Sequence, residues 1–198
     1  MDSGLPQAIS GIILAGGKGR RMDGLDKGMV EFRNMPLIEH VLHRIAPQVD
    51  ALMINANRNF DFYAASGLPV VPDERLDFAG PLAGIEASLS KAPTPLALIV
   101  PCDTPFLPTD LVTRMIDVMH KEQADVVIPD DGEREQPLIC LMKTSLKESI
   151  SRVLDANSPK VRDWLALQNL AWADFSDQHE AFANINDAET LEKLSAHD

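Results

Sequence analysis

The chain has 198 residues, and its 18 Lys and Arg residues against 30 Asp and Glu residues give a formal net charge of −12. The length fits one domain, and the acidic balance excludes general binding to nucleic acids or anionic membranes, which both require an extended basic surface. We expect a cytoplasmic protein, because no apolar run is long enough to span a membrane and the N-terminus lacks a signal-peptide pattern.

Short apolar runs alternate along the chain with segments whose apolar residues recur at helical spacing. The predicted strands lie at 11–14, 52–54, 69–71, 96–100, 126–128, 138–142 and 172–175. The predicted helices lie at 36–45, 81–90, 145–154 and 160–168, with a further helix capped by Thr109 and a last one that begins with a capping box at Asn186 and Glu189. This alternation predicts an α/β protein, a single-domain three-layer sandwich over 1–198 with a mostly parallel, Rossmann-like sheet.

The segment IILAGGKGRRMDGLDKG (12–28) combines glycines with positive charge directly after the first predicted strand. Its four cations are Lys18, Arg20, Arg21 and Lys27. Glycines let successive backbone N–H groups approach a phosphate, and Lys and Arg neutralise its charge. Ligands of open α/β sheets bind beyond the carboxyl ends of the strands, where this loop lies. The segment therefore predicts a phosphate-binding loop, and the alternative is a solvated basic turn.

Two common phosphate motifs do not fit this loop. Gly19 and Gly24 have the spacing of a Walker A motif, but Leu25 and Asp26 follow where Lys and then Ser or Thr are required. Gly17 and Gly19 match the start of the dinucleotide fingerprint G-x-G-x-x-G, but position 22 is Met. The sequence thus favours neither a P-loop NTPase nor an NAD-dependent enzyme.

Polar residues follow three further predicted strands. Asp103 lies in PCDTP (101–105), whose prolines end the preceding strand and stiffen the turn. A carboxylate there, facing a phosphate loop, suits Mg2+, which takes one or two carboxylates and completes its shell with water and phosphate oxygens. Asn55 and Asp73 end two other strands, where an amide and a carboxylate can read a base edge, the carboxylate favouring guanine. Each of the three has the alternative of an ordinary turn residue.

The segments LAGGKGRRM-x-G-x-DKG, NAN, GPLAG and PCDTPFLP, in this order, resemble the molybdenum cofactor guanylyltransferases of the MobA type. The likeness extends from Ser10 to Asn186 and includes DGEREQP (131–137), FSD (175–177) and NIN (184–186). The LAGG loop alone specifies the nucleotidyltransferase superfamily, and the other segments specify the molybdopterin branch. One position departs from the pattern, because Asp23 stands where the family has Gly and adds a negative charge beside the phosphate loop.

The resemblance implies a fold like that of the nucleotide-diphospho-sugar transferases. It also implies transfer of GMP from GTP to the terminal phosphate of molybdopterin, with Mg2+ as cofactor and release of pyrophosphate. The nucleotide-binding part would cover about 10–110 and the acceptor-binding part about 111–190.

The site residues implied by the resemblance fall into four groups. The nucleotide-binding group is Leu14, Ala15, Gly16, Gly17, Lys27, Asn55, Asp73 and Asp103. The catalytic group is Lys27, Asp103 and Arg21, with Asp103 as the metal ligand. The acceptor-binding group is Asp177, Asn184 and Asn186.

Three alternative functions stay open. A molybdopterin cytidylyltransferase and a sugar-phosphate nucleotidyltransferase differ from this function in nucleotide or acceptor, and Asp73 favours GTP. A non-catalytic GTP-binding module would not need Lys27 and Asp103 together. The expected partners are GTP and molybdopterin, with transient contacts to cofactor-biosynthesis or acceptor proteins, and neither nucleic acid nor membrane is expected.

Overall fold

The computed structural model describes residues 7–16, 26–75, 80–158 and 160–185. Its strands are β1 (Ile9–Leu14), β2 (Glu31–Phe32), β3 (Met35–Pro36), β4 (Ala51–Asn55), β5 (Val70–Val71), β6 (Leu96–Pro101), β7 (Val126–Asp130), β8 (Cys140–Lys143) and β9 (Leu170–Asp174). Its α-helices are α1 (Leu37–Ile45), α2 (Phe60–Ala64), α3 (Pro81–Leu89), α4 (Leu111–Glu122), α5 (Lys147–Asp155) and α6 (Val161–Leu165). The α/β class is therefore confirmed.

Seven of these strands form one sheet in the order β5-β4-β1-β6-β8-β7-β9. Strands β5, β4, β1 and β6 are parallel neighbours, and β7 runs parallel to β9. Among the described strands of this seven-stranded sheet, only β8 is reversed, since it pairs antiparallel with both β6 and β7. The sheet is thus mostly parallel, as predicted, and β6 at its centre has one parallel and one antiparallel neighbour.

Two apolar layers cover the faces of the sheet and make the three-layer arrangement. Alternate side chains of a strand point to opposite faces, so Leu98 belongs to the layer with α1 and α4, whereas Ile99 belongs to the layer with α3, α5 and α6. Strands covered on both faces read as continuous apolar runs. This is why 96–100 could be identified as a strand from the sequence.

Three local features differ from the sequence predictions or were not predicted. Helix α4 begins at Leu111 after Asp110, with no side-chain cap, so the predicted cap at Thr109 is wrong. The short hairpin of β2 and β3 turns through positive φ angles at Arg33 and Asn34 and was not predicted. Helix α2, with five residues, was also missed. The predicted capping box at 186–189 lies outside the described residues.

None of the helices in the described ranges has the length and apolar character that crossing a bilayer would require.

The packing of β6 predicts a large cost for a cavity at its centre. Leu98 is fully buried, whereas Leu167 is 70% exposed. We expect Leu98→Ala to lower the free energy of unfolding by about 2–5 kcal/mol, because the truncated site cannot collapse fully. The matched control Leu167→Ala should change it by less than about 0.5 kcal/mol. Urea denaturation measures both, and equal effects would contradict the described burial.

The contact between α3 and β4 predicts a second effect on stability. A Cβ at Gly84 would lie 2.2 Å from Asn55 Oδ1, which is buried. Although Ala favours a helix over Gly by about 1 kcal/mol, Gly84→Ala should lower the free energy of unfolding by about 1–3 kcal/mol because it displaces a hydrogen-bonded amide. In an Asn55→Ala background the same change should be neutral or stabilising, since the space is then free. An equal loss in both backgrounds, measured by urea denaturation, would refute the steric explanation.

Candidate active site

The candidate site lies at the carboxyl edge of the sheet, where β1, β4 and β6 end side by side. Leu14 pairs in register with Asn55 on one side and with Pro101 on the other. The chain continues these ladders, because Ala15 N donates to Asn55 O over 2.8 Å and Cys102 N donates to Leu14 O over 3.1 Å. The start of the glycine loop is thereby fixed between the ends of two other strands.

Lys27 and Asp103 form an ion pair at this edge, with 2.8 Å between Lys27 Nζ and Asp103 Oδ2. The Lys27 side chain is 28% exposed and that of Asp103 is 9% exposed, so water screens the pair only in part. The predicted proximity of the end of the phosphate loop to the PCDTP turn is confirmed, although 76 positions separate the two residues.

Asp103 has a second oxygen whose surroundings fit a metal ion. Asp103 Oδ1 is buried and has no hydrogen-bond partner within the described residues. Neither here nor elsewhere in those residues is a group of three or more His, Cys, Asp and Glu side chains arranged to hold a metal. A single carboxylate is a usual protein contribution to a Mg2+ site, where substrate phosphates and water supply the other ligands. The donor set therefore fits Mg2+ and does not resemble a zinc cage.

The same turn contacts one of the residues expected to bind the acceptor. Thr104 Oγ1 donates to Asn184 Oδ1 over 2.9 Å, and Ile185 N donates to Asp103 O over 2.9 Å. The segment that contains Asn184 is therefore attached to the turn whose carboxylate contacts Lys27. The structure brings these two predicted parts of the site together.

Asn55 and Asp73 are adjacent, as predicted, but the Asn55 amide group makes internal contacts. Asn55 Nδ2 donates to Val71 O over 3.0 Å and to Asp73 Oδ1 over 2.9 Å, and the side chain is buried. Both amide hydrogens are thus used within the protein. Asn57, for which the sequence suggested no separate role, accepts from Asp73 N over 2.8 Å. Asp73 is therefore held by two asparagines, while its Oδ2 is the oxygen that neither of them binds.

Asp177 lies in a different set of contacts. Both of its oxygens accept from Arg114, over 2.9 and 3.0 Å, and the Arg114 guanidinium lies 4.6 Å from the centre of the Phe175 ring. The hydrogen bond from Arg114 lowers the pKa of Asp177 below its ordinary value. In the part of the chain that the structure describes, no hydrogen bond joins Asp177 to Asn184 or Asp103.

Three predicted site residues, Gly17, Arg21 and Asn186, lie outside the described residues, as do Lys18, Arg20 and Asp23. Their roles stay predictions.

The loop 131–137 is organised around a buried carboxylate. Asp131 Oδ1 accepts from the backbone N–H groups of Glu133 and Arg134, each over 2.9 Å, and Oδ2 accepts from Gln136 Nε2. Burial by itself would raise the pKa of Asp131, but these donors hold it below its ordinary value. Asp131 thus shapes the loop, and its side chain is buried rather than presented to a ligand.

The two cysteines, Cys102 and Cys140, are buried free thiols. Burial raises the pKa of the Cys102 thiol well above its ordinary value, with Asp103 and Asp26 adding to the effect, and burial raises that of Cys140 to about 12. Neither group is a thiolate near neutral pH, so neither suits a nucleophilic role.

Asp26, which precedes Lys27, and the residues that bind its carboxylate were not predicted from the sequence. The Asp26 carboxylate is buried and accepts hydrogen bonds from Tyr63 and Asn59. Asp26 belongs to the DKG motif beside Lys27, and Tyr63 is the single tyrosine of the chain. These two features could have singled out Asp26 and Tyr63, but nothing in the sequence indicates that the two residues are in contact.

Comparison with known proteins adds an independent line of evidence. Residues 11–174 match the family model of the MobA-like NTP transferase domain. The molybdenum cofactor guanylyltransferase of Shewanella sediminis (strain HAW-EB3) is 47% identical over 187 residues, which are 94% of this chain and 95% of that protein. The protein of the same name from Shewanella putrefaciens (strain CN-32 / ATCC BAA-453) is 46% identical over 191 residues, 96% of this chain and 98% of that protein.

Solved structures show the same fold at lower identity. The crystal structure of molybdopterin-guanine dinucleotide biosynthesis protein A from Archaeoglobus fulgidus has a TM-score of 0.77 at 21% identity, covering 94% of this chain and 96% of that one. A CMP:2-keto-3-deoxy-manno-octonic acid synthetase complexed with CTP has a TM-score of 0.73 at 14% identity, covering 96% and 97%. The fold is thus that of the nucleotide-diphospho-sugar transferases. On the family match and the near full-length relatives, the chain belongs to the MobA-like NTP transferase family.

Proposed function

We propose that the chain transfers GMP from GTP to the terminal phosphate of molybdopterin and releases pyrophosphate. The observation that carries this proposal is the contact of Lys27 Nζ with Asp103 Oδ2, beside the buried Asp103 Oδ1, which has no hydrogen-bond partner among the described residues. A cation and an oxygen suited to bind a metal, close enough for one phosphate group to contact both, suit the transfer of a nucleotidyl group. Relatives named molybdenum cofactor guanylyltransferase, at 46–47% identity over nearly the whole chain, support GTP and molybdopterin as the substrates.

The reaction requires positioning and charge neutralisation more than a strong base. An oxygen of the acceptor phosphate attacks the α-phosphorus of GTP, and the bond from that phosphorus to the β-phosphate bridging oxygen breaks. The acceptor monoester is already ionised near neutral pH, since its second pKa is about 6. Lys27 offsets negative charge that moves onto the departing pyrophosphate, and the backbone at Ala15 and Gly16 holds the nucleotide in line.

Asp103 is the proposed ligand of a Mg2+ ion. When bound, that ion would supply positive charge to the triphosphate and polarise its phosphorus–oxygen bonds. Among the described residues Asp103 Oδ1 has no hydrogen-bond partner, while Oδ2 lies within hydrogen-bond distance of Lys27.

The nucleotide base is assigned to the neighbourhood of Asp73. Because Asn55 uses both amide hydrogens internally, we assign it to orienting Asp73, and Asp73 Oδ2 to accepting from guanine. We also assign Leu14 and Gly17 to nucleotide binding and Arg21 to catalysis on the nucleotide side.

On the acceptor side the proposal retains Asn184, Asn186 and Asp177, with the division at about 110 between the two parts of one domain. A cytoplasmic location and transient contacts with cofactor-biosynthesis or acceptor proteins complete the proposal.

An assay of nucleotide choice tests the proposed function. Purified protein is incubated with molybdopterin, Mg2+ and each of GTP, CTP, ATP and UTP, and pyrophosphate release is measured. We expect release with GTP that depends on molybdopterin and is accompanied by GMP incorporation into the pterin. Preference for CTP would indicate a cytidylyltransferase, and release that requires a sugar phosphate would indicate the other transferase class. GTP binding without pyrophosphate release would indicate a binding module.

The metal role of Asp103 predicts a selective loss. Asp103→Asn removes the charge but keeps the size of the side chain, so turnover of GTP should fall by about 100-fold or more. In calorimetric titrations Mg2+ should no longer strengthen GTP binding. Asp117→Asn on the exposed face of α4 is the matched control and should leave both measurements unchanged. Near-normal Mg2+-dependent turnover in Asp103→Asn would exclude the proposed role.

A further inference from the structure

The backbone around Lys27 forms a tight turn that begins at Asp26. Lys27–Met29 is a single 3-10 turn, in which Met29 N donates to Asp26 O over 3.0 Å. Asp26 Oδ1 accepts from Gly28 N over 3.3 Å and so caps the turn. The direction in which the Lys27 side chain leaves the backbone therefore depends on where the Asp26 carboxylate is held.

Tyr63, on α2, holds that carboxylate. The Tyr63 hydroxyl donates to Asp26 Oδ1 over 2.5 Å and Asn59 Nδ2 donates to Asp26 Oδ2 over 2.9 Å, while Arg58 Nε forms an ion pair with Oδ2 at 3.5 Å. Tyr63 is fully buried, and burial, followed by the hydrogen bond to Asp26, raises the pKa of its phenol far above the ordinary value. The hydroxyl therefore stays protonated and remains a donor at any physiological pH.

The same hydroxyl also packs against the residue on the other side of Lys27. A Cβ at Gly28 would lie 2.6 Å from the Tyr63 hydroxyl oxygen and 3.2 Å from Tyr63 Cε1. The tyrosine thus binds the residue before Lys27 and contacts the residue after it. Glycine at 28 permits this close approach, which a larger residue would prevent.

We propose that Tyr63 is a positioning residue for guanylyl transfer, which orients Lys27 toward the triphosphate and Asp103 by clamping Asp26 and Gly28. This inference rests on the proposed function, because it takes Lys27 to act on the phosphates of GTP. It assigns no contact between Tyr63 and either substrate.

The test uses Tyr63→Phe, which keeps the ring beneath Gly28 and removes only the hydroxyl. We expect kcat/KM for GTP to fall by about tenfold, which corresponds to the lower end of the range of effects for losing a hydrogen bond to a charged group. Ser66→Ala is the matched control, because it removes a hydroxyl that donates to Tyr63 O from the same region without touching Asp26. That variant should retain wild-type kinetics.

A double-mutant cycle with Lys27→Ala separates positioning from general stability. If Tyr63 acts through Lys27, adding Tyr63→Phe to the Lys27→Ala variant should lower kcat/KM for GTP by less than about a further twofold. If the two losses multiply, or if Tyr63→Phe alone has wild-type kinetics, the proposal is overturned. Thermal unfolding of each variant shows whether a loss of activity follows a loss of folded protein.

The same double-mutant cycle, measured on phosphate binding in place of turnover, tests the role of Tyr63 separately from the proposed function. Calorimetry with inorganic tripolyphosphate measures the phosphate contact without an acceptor, and the same non-additive pattern is expected. If the wild-type protein binds tripolyphosphate but transfers no GMP, the proposed function is overturned. The role of Tyr63 is still decided in that case by the double-mutant cycle measured on tripolyphosphate binding. Unchanged tripolyphosphate affinity in Lys27→Ala would overturn the inference itself.

Discussion

The arrangement of the site depends on the ion pair between Lys27 and Asp103. It joins the end of the glycine loop to the turn after β6, at a place where neither charge is fully hydrated. Moving either carboxylate or ammonium out of water is unfavourable unless a partner offsets the cost, so each residue favours the position of the other. The chain carries a net charge of −12, and this pair fixes one of its cations at the carboxyl edge of the sheet. Lys27 contacts Asp103 Oδ2, whereas Asp103 Oδ1 is buried and has no hydrogen-bond partner in the part of the chain that the structure describes.

The features that sequence reasoning could predict are those fixed by strand ends. The apolar runs that become β1, β4 and β6 stop at glycine, asparagine and proline, and parallel pairing then brings Leu14, Asn55 and Pro101 into register. Once the sheet is mostly parallel, residues that follow these strands must meet at one edge. This is why the proximity of Asp103 to Lys27 could be predicted without knowing any long-range contact.

The features that could not be predicted depend on contacts that leave no local pattern. Helix α2 is too short to show a helical period, so the contact of Tyr63 with Asp26, beside Lys27, could not be predicted. Asn55 was expected to read a base, and that role stays a prediction, but nothing in the sequence indicated its burial against Gly84 or its hydrogen bonds to Val71 and Asp73. Likewise, nothing in FSD indicates that Asp177 is bound by an arginine on α4.

The turn at 102–104 explains why the geometry favours transfer over binding alone. Its carboxylate contacts Lys27, its backbone carbonyl accepts from Ile185, and its threonine donates to Asn184. A single turn therefore connects the proposed nucleotide side to the proposed acceptor side. Two bound phosphates held from one turn lose little further freedom on reaching the transition state, which is the main advantage that a phosphoryl-transfer enzyme can provide. A module that only binds GTP would gain nothing from attaching a second segment to the turn that carries Asp103.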